Sequence, residues 1–552
     1  MIFSGLIAAV IGAVSVYNPV YPVMVEQPHN IISQVEIESD GTAILDYVDF
    51  EFSGIPSSSV RNVRLMYSGT MSCLFRKSAT EWTTSNAMLD GFRFTGGGSR
   101  IWEDPSYVMQ MAEVKPGKAQ NGVVRVRLAA PVKLVKGVNY FYVSLEIGLK
   151  GVNLTDRLDA AVTGVSVDGK SLEISRFGTN EGRRLAVLLR NSGDFGVHTY
   201  RIPGLVTTNK GTIVAVYDLR WNNAQDLNDN IDVAVSRSTD GGRTWSRNIT
   251  AIDMGCSGGL PESQNGVGDP CILLDQKTGY LYVMGLWSHG VGQSGSNRAD
   301  GVQYPLDWAQ PVIVCSKDDG RTWSAPVLIY DQVVKPGVIR PFQGPGRGIT
   351  MSDGTLVFPF QHIDAGASYA GNSIVYSKDH GATWLVSENT CGHMLTESQV
   401  AEIEPGVLIL NARNHDKKNP GRVVYTTSDL GKTWTEHPSS HILQEPVCMG
   451  SLLNVPAKGS PLIAGGSVAG NNLGIDILLF SNPDTPRIRM NMTIKASFDK
   501  GNTWPKSILL DEGEGWGYSC MSMIDDDTVG ILYESGVGQL LFQAVPLKDF
   551  IE

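Results

Sequence analysis

Apolar and polar residues alternate along most of the chain, and stretches with helical periodicity are scarce. Between Asn30 and about Leu172 the alternation is clear in TAILDYVDFEF, VVRVRLAAPVKLV and NYFYVSLEIGL, with Gly, Asn and Asp between such stretches. A period of two is typical of strands with one buried face, and the polar breaks are typical of turns. This part of the chain is therefore predicted to form an all-β sandwich.

A short motif of the form S-x-D-x-G-x-T-W recurs five times after residue 230. Each copy follows an apolar, strand-like segment, and apolar sequence resumes after it; the copies place their Asp at Asp240, Asp318, Asp379, Asp429 and Asp499. The copies are predicted to be hairpins that join two strands within one blade of a β-propeller. Residues 194–552 would supply about 60 residues per blade if there are six blades.

The repeated Asp is interpreted as part of the scaffold rather than as a catalyst or a calcium ligand. Asp can accept bonds from nearby backbone N–H groups, and Gly can adopt the positive φ that a tight turn requires. The Trp of each copy can pack against its blade. Five equivalent positions around a ring cannot converge on one substrate.

The chain is too long for one ordinary core, so we expect several domains. The predicted organisation is a leader over residues 1–22, the sandwich over 23–180, a polar connector over 181–193 and the propeller over 194–552. The leader is inferred from the apolar start MIFSGLIAAVIGAVSVYNP, which lacks a preceding Lys or Arg and is short for a membrane span. We expect a secreted or periplasmic protein without membrane insertion; the alternative is a truncated or mis-started leader.

Charge and cysteine content argue against several classes of protein. The chain has 45 Lys and Arg against 56 Asp and Glu, a net charge of −11, which disfavours a nucleic-acid partner. An anionic substrate would therefore need a local cluster of cations. The seven Cys contain no CxxC pair and the nine His show no zinc-type spacing, so no metal or cofactor is predicted and the thiols are expected to be free.

A propeller presents its functional site at the mouth of the central channel, on loops from several blades. Polar residues that interrupt apolar segments are therefore candidates for the site. For each of them alone, a solvated strand end, a loop carboxylate or a half-buried aromatic is the alternative. The candidates are Arg201 in HTYRIPGLV, Arg220 and Asp226 in YDLRWNNAQDLND, Asp269 in GVGDPCIL, Glu397 in TESQVAEIE, Arg413 in LILNARNH, Arg489 in RIRMNMTIK and Tyr518 in EGWGYSCMSMI.

The segment YRIPGL followed by five S-x-D-x-G-x-T-W copies resembles the exo-α-sialidases (neuraminidases) with a six-bladed β-propeller. The sandwich resembles the carbohydrate-binding-like N-terminal domains of some bacterial sialidases, where Trp82 and Trp102 could contact glycans or pack in the core. The resemblance implies hydrolysis of terminal sialic acid from glycoproteins, glycolipids or oligosaccharides. We expect the enzyme to be a monomer.

The resemblance further implies that three arginines hold the carboxylate of sialic acid. Arg201 stands in the YRIP position, Arg413 follows the ESQV segment, and Arg489 precedes NMTI, with Arg487 as the alternative for the third position. A planar guanidinium can bind a carboxylate through paired N–H groups, which Lys cannot imitate. Three arginines would also supply the local positive field that an acidic chain lacks.

By the same resemblance, Tyr518 would be the nucleophile, Glu397 its partner and Asp226 the acid/base, with Asp229 as the alternative in that loop. The reacting carbon of sialic acid bears a carboxylate, so a neutral phenol avoids the repulsion that a carboxylate nucleophile would meet. A phenol of pKa about 10 needs a base. Sialidases with a tyrosine nucleophile are known exceptions to the two-carboxylate pattern of glycosidases. The implied mechanism is retaining.

Arg220 and Asp269 resemble the pair that holds the hydroxyl and N-acyl side of the sugar ring; a structural ion pair is the alternative. Two other activities stay open at this point. One is transfer on the same scaffold, including intramolecular trans-sialidase activity, which Trp287 and Tyr304 in the segment GLWSHGVGQSGSNRADGVQYPLDW could influence. The other is a non-catalytic propeller that only binds sialic acid.

Overall fold

The computed structural model describes residues 14–73, 108–179, 181–227, 229–290, 310–335, 338–364, 370–463 and 470–552. Within these ranges the chain forms strands β1 to β37 and a single short α-helix, α1 (Tyr330–Val333). The described part of the chain contains no helix that is both long enough and apolar enough for a bilayer. The contacts divide the chain into two units, Met1–Leu188 and Leu189–Glu552.

Strands β1 to β12 form two sheets, and short 3-10 turn Ser57–Ser59 precedes β5. One sheet has the order β11-β1-β3-β8-β5-β6; the other has the order β12-β9-β4-β7, with β2 beside β12 and β10 beside β9. The strands are β1 (Val14–Asn18), β2 (Val23–Val25), β3 (Asn30–Asp40), β4 (Ile44–Ser53), β5 (Val60–Tyr67), β6 (Met109–Val114), β7 (Val124–Lys133), β8 (Lys136–Ile147), β9 (Arg157–Val167), β10 (Lys170–Ser171), β11 (Ile174–Gly178) and β12 (Arg183–Arg190).

Alternating burial along the strands accounts for the first unit. In β7 every second residue from Val124 to Val132 is buried, and the residues between them are exposed. Phe50 and Phe52 of β4 are buried on the same principle. The predicted β-sandwich is confirmed. Strand β12 occupies part of the segment that we expected to be a polar connector, and Trp82 and Trp102 lie outside the described residues.

The second unit is a ring of six antiparallel sheets, the blades. The blades are β13 (Thr199–Thr207), β14 (Ile213–Arg220), β15 (Ile231–Ser238), β16 (Ile249–Ile252); β17 (Val267–Leu274), β18 (Leu281–Trp287), β19 (Gln310–Ser316), β20 (Val327–Leu328); β21 (Val338–Gln343), β22 (Gly346–Arg347), β23 (Ile349–Thr350), β24 (Leu356–Asp364), β25 (Gly371–Ser377), β26 (Leu385–Val386); β27 (Leu395–Glu404), β28 (Val407–Asn414), β29 (Val423–Thr427), β30 (Thr435–Glu436); β31 (Ser451–Val455), β32 (Ile477–Pro483), β33 (Met492–Ser497), β34 (Lys506–Asp511); and β35 (Ser519–Met523), β36 (Thr528–Tyr533), β37 (Leu540–Pro546).

The first strand of each blade faces the centre of the ring. Neighbouring blades contact each other through these strands, except that the third and fourth blades meet through β24 and β27. Strand β35 of the last blade contacts β13 of the first, which closes the ring. The short strand β22 leaves its own blade and pairs in parallel with β17 of the second. The predicted six-bladed propeller is confirmed. Its remaining 3-10 turns are Asp194–Gly196, Ser257–Gly259, Glu262–Gln264 and Leu547–Phe550.

All five S-x-D-x-G-x-T-W copies lie in the hairpin between the last two strands of a blade. In the copy at Asp379, the carboxylate accepts the Thr383 backbone N–H at 2.9 Å and the Thr383 hydroxyl at 2.6 Å. The other copies repeat these two bonds. The bonds from the Thr433 backbone and hydroxyl lower the pKa of Asp429 to about 2. The repeated Asp therefore serves the turn.

The Trp of the motif joins blades together. The Trp245 ring lies 5.3 Å from that of Phe542 in the sixth blade, and the Trp384 ring lies 5.7 Å from that of Tyr282 in the second. Both pairs are edge-to-face, a geometry that aromatic quadrupoles favour. The repeated motif thus stabilises the ring at its outer hairpins.

Candidate active site

Irregular backbone at the start of three inner strands aims the candidate side chains. Register shifts interrupt β13, β17 and β27 between Arg201 and Gly204, Gly268 and Cys271, and Leu395 and Ser398. A bulge of this kind bends the strand and redirects a side chain. Ile202, with φ of 60°, and Val447, with φ of 54°, are β-branched residues in the left-handed region, a strained state that clusters at functional sites.

Tyr518, Glu397 and Arg413 form one hydrogen-bonded group contributed by the sixth and fourth blades. The Tyr518 hydroxyl donates to Glu397 Oε1. Arg413 donates from one nitrogen to Glu397 Oε2 at 2.6 Å and to the Tyr518 oxygen at 3.0 Å. Tyr518 is 5% exposed. The phenol is therefore held between a carboxylate and a guanidinium, away from bulk water.

Electrostatics give the two acids of this group opposite protonation states. Burial raises the pKa of Glu397, but the Arg413 charge and the Tyr518 hydrogen bond outweigh it, so the net pKa lies below the ordinary value. Burial, and then the Glu397 charge, raise the pKa of Tyr518 well above its ordinary value. At neutral pH the group consists of a carboxylate beside a neutral phenol.

Arg201 is fixed from behind by Glu534, a residue that sequence reasoning missed. Arg201 is 3% exposed and donates to Glu534 Oε1 at 2.8 Å and Oε2 at 3.3 Å. Glu534 also accepts the backbone N–H groups of Ile202 and Tyr518, at 2.9 and 3.0 Å. One buried carboxylate therefore positions both the first arginine and the backbone that carries the tyrosine. The only signal was a lone acid directly after the apolar strand GILY.

Arg489 completes the arginine cluster. It donates to the carbonyl oxygens of Trp516 and Val447, each at 3.0 Å, and its guanidinium lies 5.5 Å from the centre of the Tyr518 ring. Arg487, the alternative for this position, is exposed. The Arg201 guanidinium lies 5.2 Å from the same ring and 4.3 Å from that of Trp516. The structure thus brings Arg201, Arg413 and Arg489 around Tyr518.

Asp226 lies beside this cluster on the loop after β14. It accepts from Arg220 at 2.6 Å and from Arg201 at 3.5 Å, and its side chain is 68% exposed. Partial loss of solvent raises the pKa of Asp226. The charges of Arg220 and Arg201 lower it by more than that, so the net pKa is below the ordinary value. Asp229, the alternative, instead accepts three N–H groups of its own loop, from Asn222, Asn223 and Asn230.

Arg220 and Asp269 do not form the direct pair that was expected as one possibility. Arg220 is fully buried and donates to Asp218 Oδ2 at 2.9 Å as well as to Asp226. Asp218 in turn accepts the Asp269 backbone N–H at 3.0 Å. Burial outweighs the Arg220 charge and raises the pKa of Asp218 to about 6. Asp218 is therefore a second missed residue, and it links Arg220 to Asp269.

Asp269 has a left-handed backbone, with φ of 53°, at the bulge in β17. Burial raises its pKa well above the ordinary value, and the nearby Asp218, Asp226 and Glu397 charges add to the rise. Its carbonyl oxygen accepts a bond from the Gln343 amide. Asp269 thus presents a carboxyl group that favours its protonated form in the acidic half of the site.

Trp287, one of the two aromatics expected to influence hydrolysis or transfer, does not line the cluster. Trp287 is 6% exposed within the core between the first and second blades, and its indole N–H donates to Asn265 at 3.1 Å. Tyr304 lies outside the described residues. Trp287 is therefore a core residue.

Comparison with known proteins covers both units. The profile described as "BNR repeat-like domain" matches residues 205–532, and the profile described as "N-terminal domain of BNR-repeat neuraminidase" matches residues 12–171. A sialidase of Bacteroides fragilis (strain YCH46) is 43% identical over 96% of this chain and 94% of its own length. A sialidase of Micromonospora viridifaciens is 30% identical over 63% of this chain and 51% of its own.

Two solved sialidase structures are also similar to this chain. "Hadza microbial sialidase Hz136" aligns with a TM-score of 0.85 and 41% identity over 97% of this chain and 100% of that chain. "Trypanosoma rangeli sialidase in complex with sialic acid" aligns with a TM-score of 0.50 and 25% identity over 68% of this chain and 56% of that one. The chain belongs to the BNR-repeat neuraminidase family. It is a sialidase, and therefore a glycoside hydrolase.

Proposed function

We propose that the chain is an exo-α-sialidase that removes terminal sialic acid from glycoconjugates with retention of configuration. The observation that carries this proposal is the hydrogen bond from the buried Tyr518 phenol to the ionised Glu397, beneath three arginines. A neutral nucleophile paired with a carboxylate base suits an electrophilic carbon that already bears a carboxylate. The related Trypanosoma rangeli sialidase has been solved with sialic acid, which supports this substrate.

In the first part of the reaction, the substrate carboxylate binds to Arg201, Arg413 and Arg489. Arg201 has little freedom to move because Glu534 holds one edge of its guanidinium. The Nε of Arg413 is buried without a hydrogen-bond partner in the described residues, so a donor is still free next to Tyr518. Preorganised arginines of this kind place the anomeric carbon over the phenol at little reorganisation cost.

In the glycosylation step, the Tyr518 oxygen attacks the anomeric carbon and its proton passes to Glu397. The bond from that carbon to the leaving oxygen breaks, and Asp226 gives its proton to the departing group. The products are the released aglycone, a covalent tyrosyl sialoside, a protonated Glu397 and an ionised Asp226. Arg413, 3.0 Å from the Tyr518 oxygen, stabilises negative charge on that oxygen as the proton leaves.

Asp226 needs a higher pKa than it has in the free enzyme to act as an acid. In the free enzyme, the charges of Arg220 and Arg201 outweigh desolvation and lower the pKa of Asp226. The substrate carboxylate neutralises Arg201, and bound sugar removes water from a side chain that is now largely exposed. Both changes raise the pKa of Asp226. Substrate binding therefore raises the pKa of Asp226 towards the value that a general acid requires.

In the second step, water attacks the same carbon from the face that the aglycone has left. Asp226 now takes a proton from that water, the bond from carbon to Tyr518 breaks, and Glu397 returns its proton to the phenolate. Two inversions at one carbon give net retention. The first product released is therefore the α-anomer of sialic acid.

The test is fluorescence release from a 4-methylumbelliferyl α-sialoside by the wild type and by Tyr518→Phe, together with NMR of the first anomer formed. Tyr217→Phe is the matched control, because Tyr217 is a buried phenol bonded to Ser236 on the opposite side of its strand from Asp218. We expect Tyr518→Phe to lose at least about 1,000-fold in kcat while still binding sialic acid. We expect Tyr217→Phe to keep wild-type kcat.

Three results would change the proposal. A first-formed β-anomer would rule out retention. An anhydro sugar from the wild type would identify an intramolecular trans-sialidase. Sialic acid binding without turnover in a folded wild type would identify a binding protein.

A further inference from the structure

A second cavity lies at the end of the propeller channel opposite to the arginine cluster. Arg201 is the third residue of β13, and Thr207, which lines the cavity, is its last. Their partners on β14, Asp218 and Ile213, are five residues apart, which corresponds to roughly 17 Å of strand. Residues at or near the C-terminal ends of other inner strands also line the cavity, among them Leu274, Glu402, Asn454 and Ser522. The cavity is therefore distinct from the active site.

Arg347, on the short strand β22, contributes a guanidinium to this cavity. The strand pairs with β17 at Ile272, which carries Arg347 from the third blade into the wall of the channel. Its Nε is buried and has no hydrogen-bond partner among the described residues. In the parts of the chain that the structure describes, no hydrogen bond or ion pair occupies the Arg347 side chain.

The charge on Arg347 has no counter-ion within the described residues. Burial lowers its pKa, and the groups that oppose this are only the thiols of Cys271 and Cys520 on the neighbouring inner strands. The carboxylate of Glu402 also lines the cavity, but it accepts from the Ser352 and Gly406 backbone N–H groups at 2.6 and 2.8 Å. The Arg347 side chain is half-buried and its Nε is buried. A guanidinium withdrawn from water in this way normally has a carboxylate or another anion beside it.

The other polar groups and the size of the cavity indicate which functional groups, size and net charge an anion bound to Arg347 would have. Gln276 lines the cavity, and within the part of the chain that the structure describes its buried Oε1 has no hydrogen-bond partner, so it can accept a bond from a hydroxyl. The cavity volume is about 130 Å³, well below that of a pocket for a drug-sized ligand. The Glu402 carboxylate beside it disfavours a second negative charge on the ligand.

We infer that this cavity is a binding site for a small monoanionic hydroxy acid. Its carboxylate pairs with the Arg347 guanidinium and its hydroxyl donates to Gln276. Arginine is suited to this role because its planar N–H pair matches the two oxygens of a carboxylate. The site is independent of the sialidase reaction, so turnover does not require it to be filled.

Sodium lactate is the probe, replacing sodium chloride at constant ionic strength while the unfolding temperature Tm is measured. Lactate also fits the arginine cluster of the active site, so the comparison is made in an Arg413→Gln background, with and without Arg347→Met. At 100 times its Kd, lactate should raise the Tm of Arg413→Gln by about 3 °C. The doubly substituted chain should show no rise. Met retains the apolar stem of the side chain as far as the Nε position and removes the charge, so Arg347→Met in otherwise wild-type protein should match or exceed the wild-type Tm in chloride.

Crystallography of the wild type shows directly where the hydroxy acid binds. A crystal soaked in 3-bromolactate should show a bromine anomalous peak beside Arg347. A peak only at Arg413 and Arg489 would overturn the inference, and so would a lactate effect that persists in the doubly substituted chain. Stronger stabilisation by inorganic phosphate than by lactate would overturn the assignment to a monoanionic carboxylate.

Discussion

The link between Arg201 and Glu534 gives the sharpest test of how the site is built. Glu534 is 2% exposed and accepts four hydrogen bonds, two on each oxygen. Glu534→Gln keeps the shape of the side chain but replaces one oxygen by an NH₂ group. Whichever way the amide is turned, the oxygen that is replaced accepted two hydrogen bonds, so its NH₂ group faces two N–H donors, and Arg201 loses its counter-ion.

The size of the effect follows from burial. Removing one partner of a buried ion pair costs about 3–5 kcal/mol, because the other charge stays desolvated. Unfolding entropy of about 2.1 cal/mol/K per residue over Leu189–Glu552 makes 1 kcal/mol worth about 1.3 °C. We therefore expect Glu534→Gln to lower the Tm of the propeller by about 4–7 °C. We also expect kcat/KM to fall at least about 100-fold, because Arg201 is no longer held in place.

The assay is differential scanning calorimetry with Glu404→Gln as the matched control. Glu404 pairs with Lys500 at 2.6 Å, but both side chains are more than half exposed, so this pair is worth at most about 1 kcal/mol. The control should lose no more than about 1 °C. An equally small loss for Glu534→Gln would refute the reasoning that burial makes this carboxylate essential.

Three further predictions concern protonation and the scaffold. Because the pKa of Asp226 is lowered in the free enzyme and rises once substrate neutralises Arg201, the alkaline limb of kcat should lie at higher pH than that of kcat/KM; coincident limbs would contradict this. Burial raises the pKa of Asp232 to about 7, so ionisation of this carboxyl group lowers the stability of the fold as pH rises from about 4 to about 7. Measured by calorimetry, Asp232→Asn should have a higher Tm than the wild type at pH 8 but not at pH 4. Asp379→Ala removes the two bonds from Thr383 in an outer hairpin and should lower Tm by about 1–3 °C while kcat in the sialoside assay stays unchanged.

The fold was largely predictable because short stretches of adjacent residues determine its strands and turns. Alternation in segments such as β7 is a property of a few adjacent residues, and so is the turn chemistry around Asp379. The sixth blade, β35 to β37, has no copy of the motif, so its existence rested on chain length and on the family resemblance. The two-residue strand β22 left no local signal, because its pairing with β17 is decided by the packing of two blades.

That Arg201 and Tyr518 lie close together was predictable, because each of them stands in a recognisable motif. The residues that position them were not. Glu534 and Asp218 act through partners chosen by the closed ring, and an acid after an apolar strand looks the same whether it is solvated or paired. The state of Asp226 was also beyond the sequence, because two arginines from different strands lower its pKa.

The bond between Arg201 and Glu534 joins residues that are 333 positions apart, across the contact between β13 and β35 that closes the ring. Chains are made and folded from the N-terminus onwards, and contacts of such long sequence separation form late. On the ribosome, the earlier blades can therefore assemble while the catalytic group is still missing its tyrosine and the counter-ion of its first arginine. We therefore expect the enzyme to become active only after the sixth blade has closed the ring.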